Sequence, residues 1–277
     1  MEYTLQGTTL FVPHAGGFDP NATLYCGQCF RWQRQPNGVH RGVVHGAVRL
    51  LRQQGEGLIL WPCEKQEVEY FLHYLALDDD YASILTVLRR NPRLRLCVNA
   101  SPGIRVLHQD FFETLLTFII SQNNNIPRIQ AIVERLCEGF GDPLENGAHA
   151  FPTPQALAGL NEQDLAFLRA GWRADYLLHA TQAVASGRVS EEKLADLSTE
   201  SARNLLMTIR GVGPKVADCV LLFGLERSEA LPMDVWMKRA MKQHFPKGMP
   251  RYLVPYAGIA QQFLFDYTRR LSLQQDK

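Results

Sequence analysis

Residues 203–224 read RNLLMTIRGVGPKVADCVLLFG, a stretch that few arrangements can accommodate. Leu206 and Ile209 close the apolar face of one helix, Gly211-Val212-Gly213 turns the chain, and Pro214 opens a second helix whose Ala217, Val220 and Leu221 pack back. The pattern predicts a helix-hairpin-helix. Its two glycines let the main chain approach a ligand closely. The amides that open the second helix carry the positive end of its dipole. A backbone phosphate of DNA suits such a turn, with a monovalent cation as a common helper. Gly211, Val212 and Gly213 are therefore candidate phosphate contacts. A tight turn without any ligand would use the same glycines, and a hairpin of this kind grips DNA whatever its base sequence.

Lys215 and Asp234 narrow the chemistry. Lys215 lies at the start of the second helix. Asp234 follows nineteen residues later in ALPMDVWMKRA, where Pro232 rigidifies the approach and the carboxylate can cap another helix. Adjacent antiparallel helices can bring two helix-start residues together. An amine and a carboxylate facing one sugar can displace a base. An ordinary amine is protonated at neutral pH, so a nucleophilic lysine needs a site that removes its proton.

The rest of the chain supplies a frame for this pair. In residues 29–62, Phe30, Trp32, Val43, Val44, Val48, Leu50, Leu58 and Leu60 fall in short runs. Pro36-Asn37-Gly38, Gly46 and Gly55-Glu56-Gly57 separate them, which predicts an antiparallel meander. Helical spacing follows at 64–75 and 82–90. From Asp110 on it dominates: a capped helix through Ile120, one from Asn125 to Gly141, then 162–170, 173–186, 200–210, 214–225, 235–245 and 255–271. The expected fold class is α+β. An N-terminal antiparallel sheet with helices, residues 1–103, precedes an all-helical domain of two packed sub-bundles, residues 104–277.

With 46% apolar residues and no long apolar run, the chain reads as globular and cytoplasmic, with no membrane partner. Its six cysteines are scattered, and only Cys26-Gly27-Gln28-Cys29 has close spacing. Reduced thiols are expected over disulfides, and no second pair completes a zinc tetrahedron. The formal net charge is +1, but its distribution is uneven. Residues 54–85 carry seven acids against one Lys or Arg, whereas residues 203–277 carry twelve bases against six acids. A nearly neutral chain can thus show a basic face to a polyanion, although ordinary solvated helix faces account for the counts equally well.

In order and approximate spacing, GQCFRW, FIISQNNNIPRIQAIVERLCEGFG, GWRADY, GVGPKVADC, MDVWM and PYAGIAQQFLF resemble the eukaryotic-type 8-oxoguanine DNA glycosylases of the helix-hairpin-helix superfamily, over residues 25–265. The resemblance implies an N-terminal domain like the TATA-binding-protein fold, and a base-excision enzyme that removes 8-oxoguanine opposite cytosine and then cleaves the strand as a lyase. Lys215 would form a Schiff base with the sugar, and Asp234 would stabilise positive charge on it. The flipped base would be read by the Gly27 carbonyl at N7 and by Gln261 at its Watson–Crick edge, between Phe265 and Cys219. Asn123, Arg128 and Arg173 would hold the widowed cytosine, with Trp172 as a wedge. Taken without the resemblance, Phe265 and Cys219 read as core residues, Gly27 as a bulge glycine, and NNN as a capping loop. Trp236 departs from the family, whose animal members carry a histidine there near a phosphate.

The chain is thus expected to be a monomer that acts, in a prokaryote, on double-stranded DNA containing 8-oxoguanine opposite cytosine. No cofactor is required, and K+ or Na+ at the hairpin is the expected ion. An iron-sulfur cluster is not expected, because no cysteine follows Cys219. Two alternatives are an alkylpurine glycosylase of the same superfamily, which lacks the hairpin lysine, and a DNA-binding module without catalysis. The module leaves Lys215, Asp234 and Gln261 unexplained.

Overall fold

Alternating large apolar side chains and two-residue turns build one antiparallel sheet in the first quarter of the chain. The computed structural model describes residues 1–275. The strands are β1 (Thr4–Gln6), β2 (Thr9–Val12), β3 (Trp32–Arg34), β4 (His40–Val44), β5 (Ala47–Gln54) and β6 (Gly57–Trp61), in spatial order β1-β2-β6-β5-β4-β3. The predicted meander is β3 to β6. The hairpin β1–β2 is an addition, and it pairs with β6 through Leu10 opposite Leu60. His45 and Gly46 both take positive φ (53° and 68°) in the β4–β5 turn, the twist that matches a right-handed hairpin. Leu10, Leu51, Leu58, Leu60 and Trp32 form a buried layer against Phe71 and Leu75. The Trp32 indole donates to the Tyr74 hydroxyl at 2.9 Å, so its polar edge is satisfied inside that layer.

The helices are α1 (Pro20–Leu24), α2 (Val68–Tyr74), α3 (Tyr81–Arg89), α4 (Pro92–Ala100), α5 (Phe111–Ser121), α6 (Ile126–Phe140), α7 (Pro154–Leu157), α8 (Arg173–Ala185), α9 (Glu191–Ala195), α10 (Thr199–Leu206), α11 (Pro214–Gly224), α12 (Val235–His244) and α13 (Ala257–Gln275). The α+β class is as expected. Caps set the boundaries: Asp110 accepts from the Glu113 amide at 2.8 Å, and Asn125 from the Arg128 amide at 3.0 Å, each worth ~1 kcal/mol.

One predicted helix does not form. Residues 162–170 make turns and a short 3-10 segment, Ala166–Leu168, ending at Arg169 with φ +55°. Asn161 Oδ1 accepts from the Gln163 amide at 2.8 Å and Asp164 Oδ2 accepts from the Asn161 amide at 2.9 Å. These bonds cap only a turn, because the left-handed backbone at Arg169 and Gly171 (φ +63°) stops a longer helix from following. Leu165 and Leu168 still reach the core, which is why the spacing looked helical.

Helix α11 is the axis of the helical part. Every residue from Val216 to Gly224 is buried, and the helix packs against α5. Its one buried acid, Asp218, receives Arg203 Nε of α10 at 2.7 Å, so the ion pair ties the two arms of the hairpin. Among the described residues no helix is long and apolar enough to cross a membrane.

Candidate active site

The hairpin assigns different tasks to its two glycines. Gly211 has φ +87°, and a Cβ there would meet the Tyr176 ring at 2.1 Å, so this position is closed to any other residue. Gly213 is extended (φ −95°), and a Cβ there meets nothing within 4 Å, so the amides at the start of α11 face open space. Gln122 Nε2 at the end of α5 donates to the Gly211 carbonyl at 3.0 Å and fixes the turn. Val212 is buried and anchors it to the core.

From this turn Lys215 reaches a cavity of about 140 Å3. Its ammonium donates to Ser121 Oγ at 3.2 Å and stands 4.9 Å from the centre of the Phe118 ring. The Ser121 hydroxyl gives its own hydrogen to the Phe118 carbonyl at 2.8 Å, which leaves its lone pairs to the amine. Asp234 borders the same cavity and caps α12, accepting from the Met237 amide at 2.7 Å. Each charge thus has a neutral partner, and both remain half-buried and available to a substrate.

The other walls are the residues expected to read a base. Gly27 (φ +86°), Cys219, Gln261 and Phe265 all border the cavity. Gln261 is only 6% exposed, and its Oε1 has no hydrogen-bond partner. A buried orphan acceptor costs ~1–3 kcal/mol, so the site holds a polar group waiting for a donor. Burial pushes the Cys219 thiol up to about 11, against the pull of Lys215, so at neutral pH it is an uncharged wall. The CGQC loop is held from two sides. Gln28 donates to the Arg105 carbonyl at 2.8 Å and accepts from the Leu107 amide at 2.8 Å, and Gln262 of α13 donates to the Cys26 carbonyl at 3.1 Å. All six cysteines are free and buried; Cys26 and Cys29 donate to the Thr23 and Leu24 carbonyls.

Residues 10–115 match the family described as the 8-oxoguanine DNA glycosylase N-terminal domain, and residues 116–249 match the HhH-GPD superfamily of base excision DNA repair proteins. The N-glycosylase/DNA lyase of Saccharomyces cerevisiae is 31% identical over 252 residues, 80% of this chain and 67% of the yeast protein. The structure of the Clostridium acetobutylicum 8-oxoguanine glycosylase/lyase, in complex with double-stranded DNA containing cytosine opposite the lesion, superposes with a TM-score of 0.92. It is 33% identical, and the match covers 98% of this chain and 99% of that one. MBOgg1, in complex with a low-affinity DNA ligand, gives a TM-score of 0.92 at 37% identity, covering 98% and 100% of the two chains.

The chain belongs to the 8-oxoguanine DNA glycosylase family.

The residues expected on the other side of a flipped base do not border this cavity. Asn123 is exposed with φ +52°, beside the exposed Arg128. Trp172 is 51% exposed and packs edge-on against Tyr176. Arg173 is buried. Its guanidinium donates to the carbonyls of Gln122 (2.9 Å from Nε, with a second bond from Nη2), Ala170 (3.2 Å) and Asn123 (3.0 Å), and its Cζ lies 4.3 Å from the Trp172 ring centre. Desolvation, and then the nearby Arg128 charge, lower its pKa. In this arrangement Arg173 braces the NNN loop.

Sequence reasoning missed Ser121, Phe118, Gln122, Gln262 and Tyr176. All five lie within stretches singled out by resemblance, FIISQNNN, GWRADY and PYAGIAQQFLF, but a hydroxyl or ring acting through an intermediate residue has no signature of its own. Trp236, the departure from the family, is exposed on the first turn of α12, and it borders a separate cavity of about 430 Å3 next to Asp234.

Proposed function

We propose that Lys215 is the nucleophile by which this chain excises 8-oxoguanine from DNA and cleaves the strand. Glycosylase/lyase activity follows from family membership; the residue roles and the opposite-base preference are our reading. The neutral amine of Lys215 attacks C1′ of the flipped nucleoside. The bond from C1′ to N9 breaks and the base leaves with its electron pair, taking up a proton. The ring oxygen then leaves C1′ as the sugar opens, giving a protonated Schiff base to Lys215. Loss of a C2′ proton expels the 3′ phosphate by β-elimination. Asp234 stabilises the cationic sugar as the base departs.

Recognition is assigned to Gln261 and Gly27. The single observation that carries this reading is the orphan Oε1 of Gln261 in a cavity shared with Lys215 and Asp234. Its partner is the N–H edge of a purine, whereas a pocket built only for packing would hold an apolar side chain there. Cytosine opposite the lesion falls to Arg128 and, after release from its carbonyls, Arg173, both able to donate to O2 and N3. At the hairpin, Val212 N–H already occupies the Ile209 carbonyl and Gln122 the Gly211 carbonyl. A K+ or Na+ ion there would use their remaining lone pairs.

Borohydride trapping tests the nucleophile. With a duplex containing 8-oxoguanine opposite cytosine, hydride reduces the Schiff base to a stable amine that joins protein to DNA. The wild type gives this adduct and Lys215→Gln does not. An adduct from Lys215→Gln would place the chemistry on a different amine.

A further inference from the structure

At the far end of α11 from Lys215, four segments deliver two histidines and three carboxylates to one place. His73 comes from α2, Asp78 and Asp79 from the turn after it, His108 from the extended chain entering α5, and Glu226 from the turn after α11. His73 Nε2 lies 2.7 Å from Glu226 Oε1, and His108 Nε2 lies 3.3 Å from Asp79 Oδ2. A carboxylate only accepts, so in neutral rings those Nε2 atoms carry the hydrogens and both Nδ1 atoms are lone pairs. The two Nδ1 atoms are 3.3 Å apart, and Asp78 Oδ2 is 2.9 Å from that of His73. Three electron-pair donors therefore converge, all within 4.8 Å of one another.

Something positive must sit among them. A proton on His73 Nδ1 satisfies Asp78 and attracts the His108 lone pair, but both N–H groups of that ring then point at carboxylates, so His108 Nδ1 receives no hydrogen bond. A divalent ion serves all three. Nitrogen donors held ~2.0–2.1 Å from tetrahedral zinc stand ~3.3 Å apart, the spacing found here. His108 Nδ1 is also 3.1 Å from His73 Nε2, so closing the set takes a turn of the His73 ring about χ2. A carboxylate on the outer nitrogen of each histidine is the arrangement that orients imidazoles toward a metal.

We infer that His73, His108 and Asp78 bind one Zn2+ ion where the sheet domain meets the helical domain, with Glu226 and Asp79 orienting the two imidazoles. This gives a task to two of the seven acids in residues 54–85, Asp78 and Asp79. The three carboxylates of the cluster carry −3, and Zn2+ reduces that to −1. His108 is well placed as the fixed ligand: its side chain is 9% exposed, and its amide donates to the Tyr74 carbonyl at 3.1 Å. The eleven residues of α11 separate the ion from Lys215 by ~16 Å. The ion therefore clamps the two domains and takes no part in the chemistry, stabilising the fold by mass action.

The test uses the tag-free full-length chain, stripped with a chelator, with isothermal titration of Zn2+ and the visible absorption of Co2+. The expected result is one ion per chain, a Co2+ band typical of nitrogen and oxygen ligands, and an unfolding midpoint that rises by several degrees with Zn2+. Glu226→Gln weakens binding about 10-fold, and the double variant His73→Gln, Asp78→Asn abolishes it. His108 is left intact because its burial would confuse ligand loss with misfolding, and base excision at wild-type rate without metal verifies that each variant is folded. The inference is overturned if the wild type shows no saturable binding. It is equally overturned if the double variant binds as tightly, or if only a lower pH and not Zn2+ raises the midpoint, which would mean that protons alone hold the cluster.

Discussion

The cavity under Lys215 and the loop around Arg173, which we propose meet the two halves of one base pair, are built in opposite ways. In the cavity the polar groups are under-satisfied: Gln261 Oε1 has no partner, and the Lys215 amine has a hydroxyl. In the loop they are saturated, since Arg173 gives four N–H bonds to three carbonyls of its own surroundings. The cavity is preorganised for a ligand. In the proposed role Arg173 would exchange internal bonds for external ones, with DNA supplying the energy to open the loop.

That contrast breaks if the two regions respond alike to substitution. The largest effect is expected for Asp234→Asn, which keeps a good helix cap and removes the charge. It should lower kcat about 100- to 1,000-fold in single-turnover excision with no change in Tm. Next is Gln261→Ala, expected to cost about 10- to 100-fold in kcat/KM. It should leave Tm unchanged, because removing an unpaired buried oxygen offsets the lost packing. Arg173→Ala should behave in the reverse manner. Orphaning its carbonyls costs about 2–4 kcal/mol, a drop in Tm on the order of 5–10 °C by calorimetry, together with weaker preference for cytosine. Arg128→Ala, at an exposed position, should reduce that preference about threefold to tenfold with an unaltered Tm, read from rates against all four opposite bases.

The smallest effect lies in the first turn of α5, at the opposite end of that helix from Ser121. Burial pushes the Glu113 carboxyl up from 4.5 to about 7, although Arg31, 3.7 Å away, pulls it down. A carboxyl raised on folding contributes stability that is complete below its unfolded value and is lost as pH rises through the folded one. Between pH 4.5 and about 7, then, Glu113→Gln should gain in Tm relative to the wild type, by differential scanning fluorimetry across that window.

Legibility followed the range of the physical signal. Helix caps and turn glycines act over three or four residues, so Asp110, Asn125, Gly211 and Pro214 could be read directly. Residues 162–170 misled because Leu165 and Leu168 have helical spacing and Asn161 and Asp164 cap the start, while Arg169 turns left-handed after a single 3-10 segment. Positions 121 and 122 were unreadable as functional, since a serine and a glutamine at a helix end mean nothing until the chain brings Lys215 and Gly211 beside them.

By itself the sequence determined that a glycine turn presents a lysine at a helix start and that the next capped helix begins with an aspartate, because dihedral preferences and hydrogen-bond caps are local. Only the tertiary structure decided that Gln261 is left with an unpaired oxygen in that lysine's cavity, that Arg173 turns inward, and that two histidines thirty-five residues apart meet across the domain seam. Those outcomes depend on which distant groups satisfy a buried polar atom, and no local pattern encodes them.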